Sequence, residues 1–263
     1  MKLVIICGPT ATGKTDLAAR LAKKFSGSII SADSRQVYKG MDIVTGKDRP
    51  KGVKIWGYDL VKPDEEFSVA HFVRLAMIKI AQIQKKGKLP IIVGGTGFWL
   101  DALVNPPATM NIKPNWKLRG KLQKFSAKQL FKKLEMIDSP RAKSMNQSDR
   151  NNPRRLIRAI EVAKQPRDSL RPTIYDAHWI GLTAPLKVLD RKIEDRVRQR
   201  VKAGAIKEWE RLCRRFAAKL PSMSAIGYRE LPDIDQWVRA EKQYARRQLT
   251  WFKKNKAIKW YTI

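Results

Sequence analysis

Cysteine and histidine are nearly absent, at two residues each in 263, which leaves little material for a disulfide framework or a histidine-rich metal centre. Cys7 lies in an apolar run and Cys213 in a helical pattern. They are far apart and match no metal or redox spacing, so both read as buried apolar thiols. His71 and His178 are isolated and read as structural. No apolar run approaches the roughly 20 residues that a membrane span needs, so no membrane partner is expected. The stretch Leu3 to Cys7 is too short for a secretion signal, and a cytoplasmic location is expected. Negative charge is the scarcest commodity: 24 Asp+Glu stand against 55 Lys+Arg, a formal net charge of +31 with a pI near 10.4. Such a balance makes a polyanion the natural partner. Between Asn111 and Pro172 there are seventeen Lys/Arg against five Asp/Glu, so the excess is dense mid-chain, where it reads as an electrostatic footprint for nucleic acid.

The length suits one large domain with a smaller insertion. Leu3–Cys7 is a β-branched apolar run ending at Gly8, and Leu17, Ala18, Leu21 and Ala22 follow at helical spacing. Ser28–Ala32 and Leu89–Val93 read as further strands, and Val69–Gln84 as a helix with Phe72, Val73, Ala76 and Ile80 on one face. Strands alternating with helices predict an α/β fold, a parallel sheet covered by helices on both faces, with ligands beyond the carboxyl ends of its strands. Asn105-Pro106-Pro107 breaks this pattern, and Trp116–Ile137 is basic and helical. The expected division is a core of 1–104 and 150–263 with a small basic helical insertion at 105–149. Arg154–Val162 reads as a helix, Gln165–Arg171 as a Pro-containing loop, and His178–Leu182 as a strand. From Leu189 to Phe216 the apolar residues keep helical spacing, which reads as a core-packed amphipathic helix with a solvated basic face.

Gly8-Pro9-Thr10-Ala11-Thr12-Gly13-Lys14-Thr15 fits G-x-x-x-x-G-K-[ST] between a predicted strand and a predicted helix. Glycines let successive N–H groups face a phosphate, the helix N-terminus adds its positive end, Lys14 neutralises oxygens, and the Thr15 hydroxyl suits Mg²⁺. The loop should bind a di- or triphosphate. Asp33 follows the second strand and should lie beside this loop, as a metal-associated carboxylate or as a base accepting a proton from a nucleophile. Arg35 and Gln36 offer donors suited to phosphates and base edges.

The loop, Ile30 to Asp42, Val93-Gly94-Gly95-Thr96-Gly97, Asn152 to Val162, Ala225 to Glu230 and Tyr244 to Phe252 occur in this order. With these six motifs the chain resembles the tRNA dimethylallyltransferases, also called tRNA isopentenylpyrophosphate (IPP) transferases, over nearly its whole length. The resemblance implies a P-loop NTPase-like domain that binds dimethylallyl diphosphate and a helical insertion that grips the tRNA anticodon stem-loop. It implies transfer of the dimethylallyl group to N6 of the adenosine 3′ of the anticodon, in tRNAs reading codons that begin with U, with Mg²⁺ as cofactor. Asp33 matches the proposed base, Thr96 a residue near the flipped-out adenine, and Lys14 and the loop the diphosphate site. By the same match Asp33, Ser34, Arg35, Gln36, Thr96, Arg154, Arg155, Leu156, Ile157, Arg158, Gly227, Tyr228, Arg229, Arg246, Arg247, Gln248 and Trp251 line the tRNA. A monomer is expected.

The chain departs from the family pattern in places. Asp42-Ile43-Val44-Thr45-Gly46-Lys47 stands where the family has Asp-Ile-Gly-Thr-Ala-Lys, Trp56-Gly57-Tyr58-Asp59-Leu60 replaces a His-rich stretch, and the segment between Tyr228 and Tyr244 is short. Three other functions fit parts of the pattern: a small-molecule kinase, a prenyltransferase acting on free adenine nucleotide, and a nonenzymatic RNA-binding protein. The basic middle segment opposes the first two, and intact Lys14, Thr15 and Asp33 oppose the third.

Overall fold

A computed structural model describes residues 2–165 and 175–263. The expected Pro-containing loop falls, after Gln165, outside them. In chain order the elements are β1 (Lys2–Cys7), α1 (Lys14–Lys24), β2 (Gly27–Ser31), β3 (Ile55–Trp56), α2 (Val69–Lys85), β4 (Leu89–Val93) and α3 (Gly97–Val104). There follow α4 (Trp116–Leu122), α5 (Ala127–Ile137), α6 (Ser139–Ser144), α7 (Gln147–Arg150) and α8 (Pro153–Ala163). The chain finishes with β5 (Asp176–Thr183), α9 (Leu186–Lys202), α10 (Ala205–Cys213), α11 (Ile234–Phe252) and β6 (Ile258–Thr262).

The six strands form one parallel sheet in the order β3-β2-β4-β1-β5-β6. The α/β class expected from the alternation is the class found. β1 is apolar at nearly every position because it is covered on both faces, and Leu3, Ile5, Ile6 and Cys7 are buried. Burial pushes the Cys7 thiol up to about 12, the value of an inert apolar group. Cys213, expected to be buried, is exposed: it lies off the apolar stripe of α10, beside buried Leu212. α1 presents Ala18, Ala19 and Ala22 to Ile6, Ile29, Ile91 and Val93, small residues that let the helix lie close to the sheet. β6 occupies an edge, where exposed Lys259 and Thr262 discourage further pairing.

Two expected helices are interrupted. The 189–216 pattern breaks at Gly204, whose φ of 101° suits glycine and starts a new helix. The 116–137 pattern is two helices, because Ser126 and Gln129 form a capping box that begins α5. His71 has the structural role expected of it: its ring accepts from the Ser68 N–H at 3.2 Å in the capping box of α2.

The chain forms two compact units, Met1–Asn105 with Thr173–Ile263, and Pro106–Pro172. Helix α8, expected with the core from 150 onward, thus belongs to the smaller unit. Its Leu156, Ile157, Ala159 and Ile160 pack with Leu122, Leu130, Leu134 and Ala142 in a hydrophobic centre of that unit's own. Beside it, fully buried Glu161 accepts from Asn115 N at 2.6 Å, from both Arg119 Nε and Nη2, and from Arg158 Nη1. Desolvation raises its pKa, but these donors outweigh it and hold the carboxyl below its ordinary value.

Leu134→Ala removes a fully buried side chain from a centre that has eight buried members among the described residues. It should destabilise the protein by about 2–5 kcal/mol in urea unfolding followed by circular dichroism. An unchanged midpoint would show that the smaller unit does not depend on this centre.

Candidate active site

The phosphate loop leaves β1 at Gly8, whose φ is 133° and where a Cβ would come within 2.2 Å of the Leu182 carbonyl oxygen of β5. Only glycine passes there. Ala11 at φ 62° and Gly13 at φ 70° are left-handed, which curls the loop into a nest at the N-terminus of α1. Pro9 O gathers the loop from within, accepting from the Thr12 hydroxyl at 2.9 Å and from Lys14 Nζ at 2.6 Å. Desolvation, followed by the nearby Arg196 guanidinium, brings the Lys14 ammonium down to about 8, against the opposing pull of Asp33.

The carboxyl ends of β2 and β4 form the adjoining wall. Asp33 Oδ1 accepts from Arg35 N at 2.8 Å, and Ser34 N donates to Thr96 Oγ1 at 3.2 Å. Asp33 and Thr96, expected to act together, are therefore joined through Ser34. Gln36 braces the wall: its Oε1 accepts from the Ser31 hydroxyl at 2.8 Å and its Nε2 donates to Gly46 O at 2.9 Å. Arg35 Nη1 donates to Pro221 O at 2.6 Å.

Gln248 links the two walls. Its Oε1 accepts from Thr10 N at 2.9 Å and its Nε2 donates to Gly95 O at 2.9 Å. A Cβ on Gly95 would meet that Nε2 at 2.2 Å, which explains a glycine there. Expected on the tRNA, Gln248 is instead buried as a tie between the phosphate loop and β4.

The third wall was hidden in the sequence. Lys192, Arg196 and Arg200 recur every four residues along α9 and line the cleft, where only a solvated face was expected. Arg196 Nη1 donates to Thr10 Oγ1 at 3.0 Å, and Arg200 Nη1 to Val44 O at 3.1 Å, with Glu241 Oε1 3.5 Å away. Burial and then Arg196 lower the Arg200 guanidinium to about 10, so it stays a cation at neutral pH. Glu208 of α10 was also missed. Its buried carboxylate accepts from Asp42 N, Ile43 N and Val44 N at 2.8 to 3.0 Å and from the Tyr228 hydroxyl at 2.6 Å. Lys47, with no exposed side-chain area, ties Tyr38 O, Asp42 and Asp59 together behind the same loop.

These walls enclose a cleft of about 1230 Å³ lined by nine cationic side chains and six carboxylates, so an anionic ligand is favoured. Thr15 and Asp33 both line it. Among the described residues no group of three metal-ligating side chains occurs. A hydroxyl and a carboxylate beside a phosphate loop are nonetheless hard oxygen donors that suit Mg²⁺, an ion that takes most of its ligands from phosphate and water.

Several residues expected on the tRNA are committed elsewhere. Tyr228 is buried on Glu208, and burial together with that carboxylate pushes its phenol far up. A Cβ on Gly227 would meet Val44 and Trp237. Leu156 and Ile157 are core residues of the smaller unit, and Arg158 donates to Thr109 O and Ile112 O besides Glu161. Arg155 pairs with Asp149 and Arg246 with Asp190 at 2.8 Å at the surface, and the exposed Arg229 pairs with the buried Glu230. Arg154, Arg247 and Trp251 are exposed.

A family model described as IPP transferase matches residues 36–255, and one described as isopentenyl transferase matches residues 1–59. The chain is 38% identical over 288 residues to a tRNA dimethylallyltransferase of Geobacillus thermodenitrificans, spanning 100% of this chain and 90% of that one. Among solved structures it resembles the full-length tRNA isopentenylpyrophosphate transferase of Bacillus halodurans, at 38% identity and a TM-score of 0.74, over 99% of this chain and 89% of that one. It also resembles a eukaryotic dimethylallyltransferase acting on tRNA, at 25% identity and a TM-score of 0.86, over 99% of this chain and 73% of that one.

The low Lys14 pKa has a signed consequence. Between about 8 and the ordinary 10.5 the unfolded chain binds more protons at this lysine than the fold does, so stability rises with pH across that window. An anion on the loop draws the proton back. Inorganic diphosphate should therefore bind with proton uptake near pH 8, and the affinity advantage of the parent over Lys14→Met should shrink between about pH 7 and pH 10. Calorimetry in buffers of different ionisation heat measures both, and an advantage independent of pH would contradict the charge state inferred for Lys14. Glu208→Gln keeps the shape but weakens the acceptor of three backbone N–H groups. Roughly 2–4 kcal/mol of stability should be lost, together with affinity for diphosphate. Retention of both by the variant would show that this carboxylate does not fix the loop.

Proposed function

The chain belongs to the IPP transferase family, and we propose that it transfers a dimethylallyl group from dimethylallyl diphosphate to N6 of the adenosine 3′ of the anticodon in tRNAs reading codons that begin with U. The observation that carries this reading is the meeting, in one positive cleft, of a phosphate loop with Asp33, whose neighbour Ser34 is held by Thr96. The donor's diphosphate lies on the loop and its carbon chain points toward Asp33. The names of the similar proteins support the acceptor, and the net charge of +31 suits a polyanion.

The N6–carbon bond forms as the allylic carbon–oxygen bond breaks, and the amine proton leaves to Asp33. Adenine N6 is a poor nucleophile because its lone pair is delocalised into the ring. The allylic carbon readily carries positive charge, so stabilisation belongs on the departing diphosphate. The loop amides, Lys14, Arg196 and Arg200 supply it from two sides. The Thr15 hydroxyl would hold a Mg²⁺ ion beside the loop, which would supply further charge neutralisation there. Asp33 Oδ1 is occupied by Arg35 N, which leaves Oδ2 for the proton. An adenine inside a stack cannot reach the cleft, so the target base is extruded from the anticodon loop.

Purified protein incubated with Mg²⁺, unmodified tRNA and dimethylallyl diphosphate should yield N6-dimethylallyladenosine in tRNA by nucleoside mass analysis, and none from AMP or ATP. Asp33→Asn should lower kcat by about 10²–10⁴ with little change in either KM. A product absent from tRNA, accompanied by ATP-dependent phosphorylation of a small molecule, would replace this reading with a kinase. A pure rise in KM for Asp33→Asn would make that residue a positioning group.

A further inference from the structure

Among the described residues, three ion pairs tie α9 to α11. Asp190 meets Arg246 at 2.8 Å and Glu194 meets Lys242 at 3.2 Å, with the acid on α9 and the base on α11. The third, Arg200 with Glu241 at 3.5 Å, reverses that polarity and is the most deeply placed, its side chains only 11% and 10% exposed. A clamp between helices is served by either polarity, so the reversal at the cleft needs a cause of its own. Glu241 is also, among the described residues, the one buried carboxylate of the six that line the cleft. Its pair with Arg200 is longer than the roughly 2.7–2.9 Å of a strong charged hydrogen bond. A carboxylate withdrawn from water without a close donor, and set beside a seat for anions, is costly through both desolvation and repulsion of the ligand.

The cations around it supply the cause. The guanidinium groups of Arg196 and Arg200 converge over Gly46, where a Cβ would overlap Nη2 of both. Two like charges share that spot while the seat is empty. Arg200 does not need Glu241 to hold its place, because its Nη1 donates to Val44 O at 3.1 Å and its plane rests against Gly46. What Glu241 adds is charge. We propose that Glu241 is the resident counter-charge of Arg200, neutralising the guanidinium while the phosphate seat is empty and competing with diphosphate for it once the seat is filled. This rests on the diphosphate reading above and deepens it. Groups that stabilise a departing diphosphate also retain it after the bond has broken, and a fixed negative charge behind Arg200 limits that retention. Glu241 acts through Arg200 and is a positioning residue.

The test is calorimetric titration of the full chain with inorganic diphosphate in the presence of Mg²⁺. Glu241→Gln, which removes the charge and keeps the shape, should bind diphosphate about tenfold more tightly than the parent, and Glu241→Asp should stay within about twofold of it. Diphosphate should inhibit prenyl transfer by Glu241→Gln at correspondingly lower concentration, and the KM for dimethylallyl diphosphate should fall without a gain in kcat. A general loosening of the fold would weaken binding instead. Without ligand the variant leaves Arg200 uncompensated and should melt below the parent, and saturating diphosphate should raise its Tm by more than it raises the parent's. If Glu241→Gln is unfolded without ligand, its refolding by diphosphate carries the test. A diphosphate affinity equal to or below the parent's, or a failure of diphosphate to refold an unfolded variant, would overturn the counter-charge and reduce the pair to a clamp between helices. A parent that does not bind diphosphate would remove the reading on which the inference rests.

Discussion

The carboxylate of Glu208 gathers three consecutive backbone N–H groups and a phenol, and through them sets the wall that faces the phosphate loop. Loop 42–47 has no regular secondary structure to hold it, so its position follows from this acceptor on one side and from the buried Lys47 network on the other. Arg200 reads the result, because its guanidinium rests on the Val44 carbonyl that Glu208 has positioned. With 24 acidic residues in the whole chain, the buried carboxylates of Glu161, Glu208 and Glu230 each serve several donors. Glu161 organises the smaller unit in the same way.

The concentration of cations in the cleft is electrostatically unfavourable until an anion arrives. Lys14 feels Arg196, and Arg200 feels Arg196 as well, and the three are held close by the loop and α9 rather than by attraction to one another. A diphosphate on the loop would relieve this repulsion, and under the proposed reaction the charge growing on it as it departs would be met by groups already in place. That is preorganisation: the fold bears the cost of assembling like charges, so that none has to be reoriented as the bond breaks.

What was legible in the sequence was whatever local chemistry dictates. The phosphate loop could be read because its glycines, lysine and threonine act through backbone geometry within eight residues. Strand β4 could be read because Leu89–Val93 is buried on both faces. The two-residue β3 is too short for any periodicity, and β6 alternates with charged and polar residues because it is an edge. The active-site face of α9 was misread because a cation turned to a cleft and a cation turned to bulk water give the same pattern. Its one cue, Lys192, Arg196 and Arg200 at intervals of four, acquires meaning only once the phosphate loop is seen opposite. Gln248, Tyr228 and Arg158 were placed on the tRNA by family likeness, whereas their partners lie far away in sequence or are backbone carbonyls that leave no trace in residue types.

Gln248 offers one carbonyl oxygen and one amide nitrogen, and it uses the first on the phosphate loop and the second on the turn after β4. The span of a single primary amide therefore sets the separation between the phosphate loop and the turn after β4, much as a gauge block sets a gap. Remodelling the enzyme for a bulkier prenyl chain would gain nothing from these two edges, which cannot part without losing both bonds. Room has to come from the 42–47 wall, whose anchors on Glu208 and Lys47 lie outside the gauge.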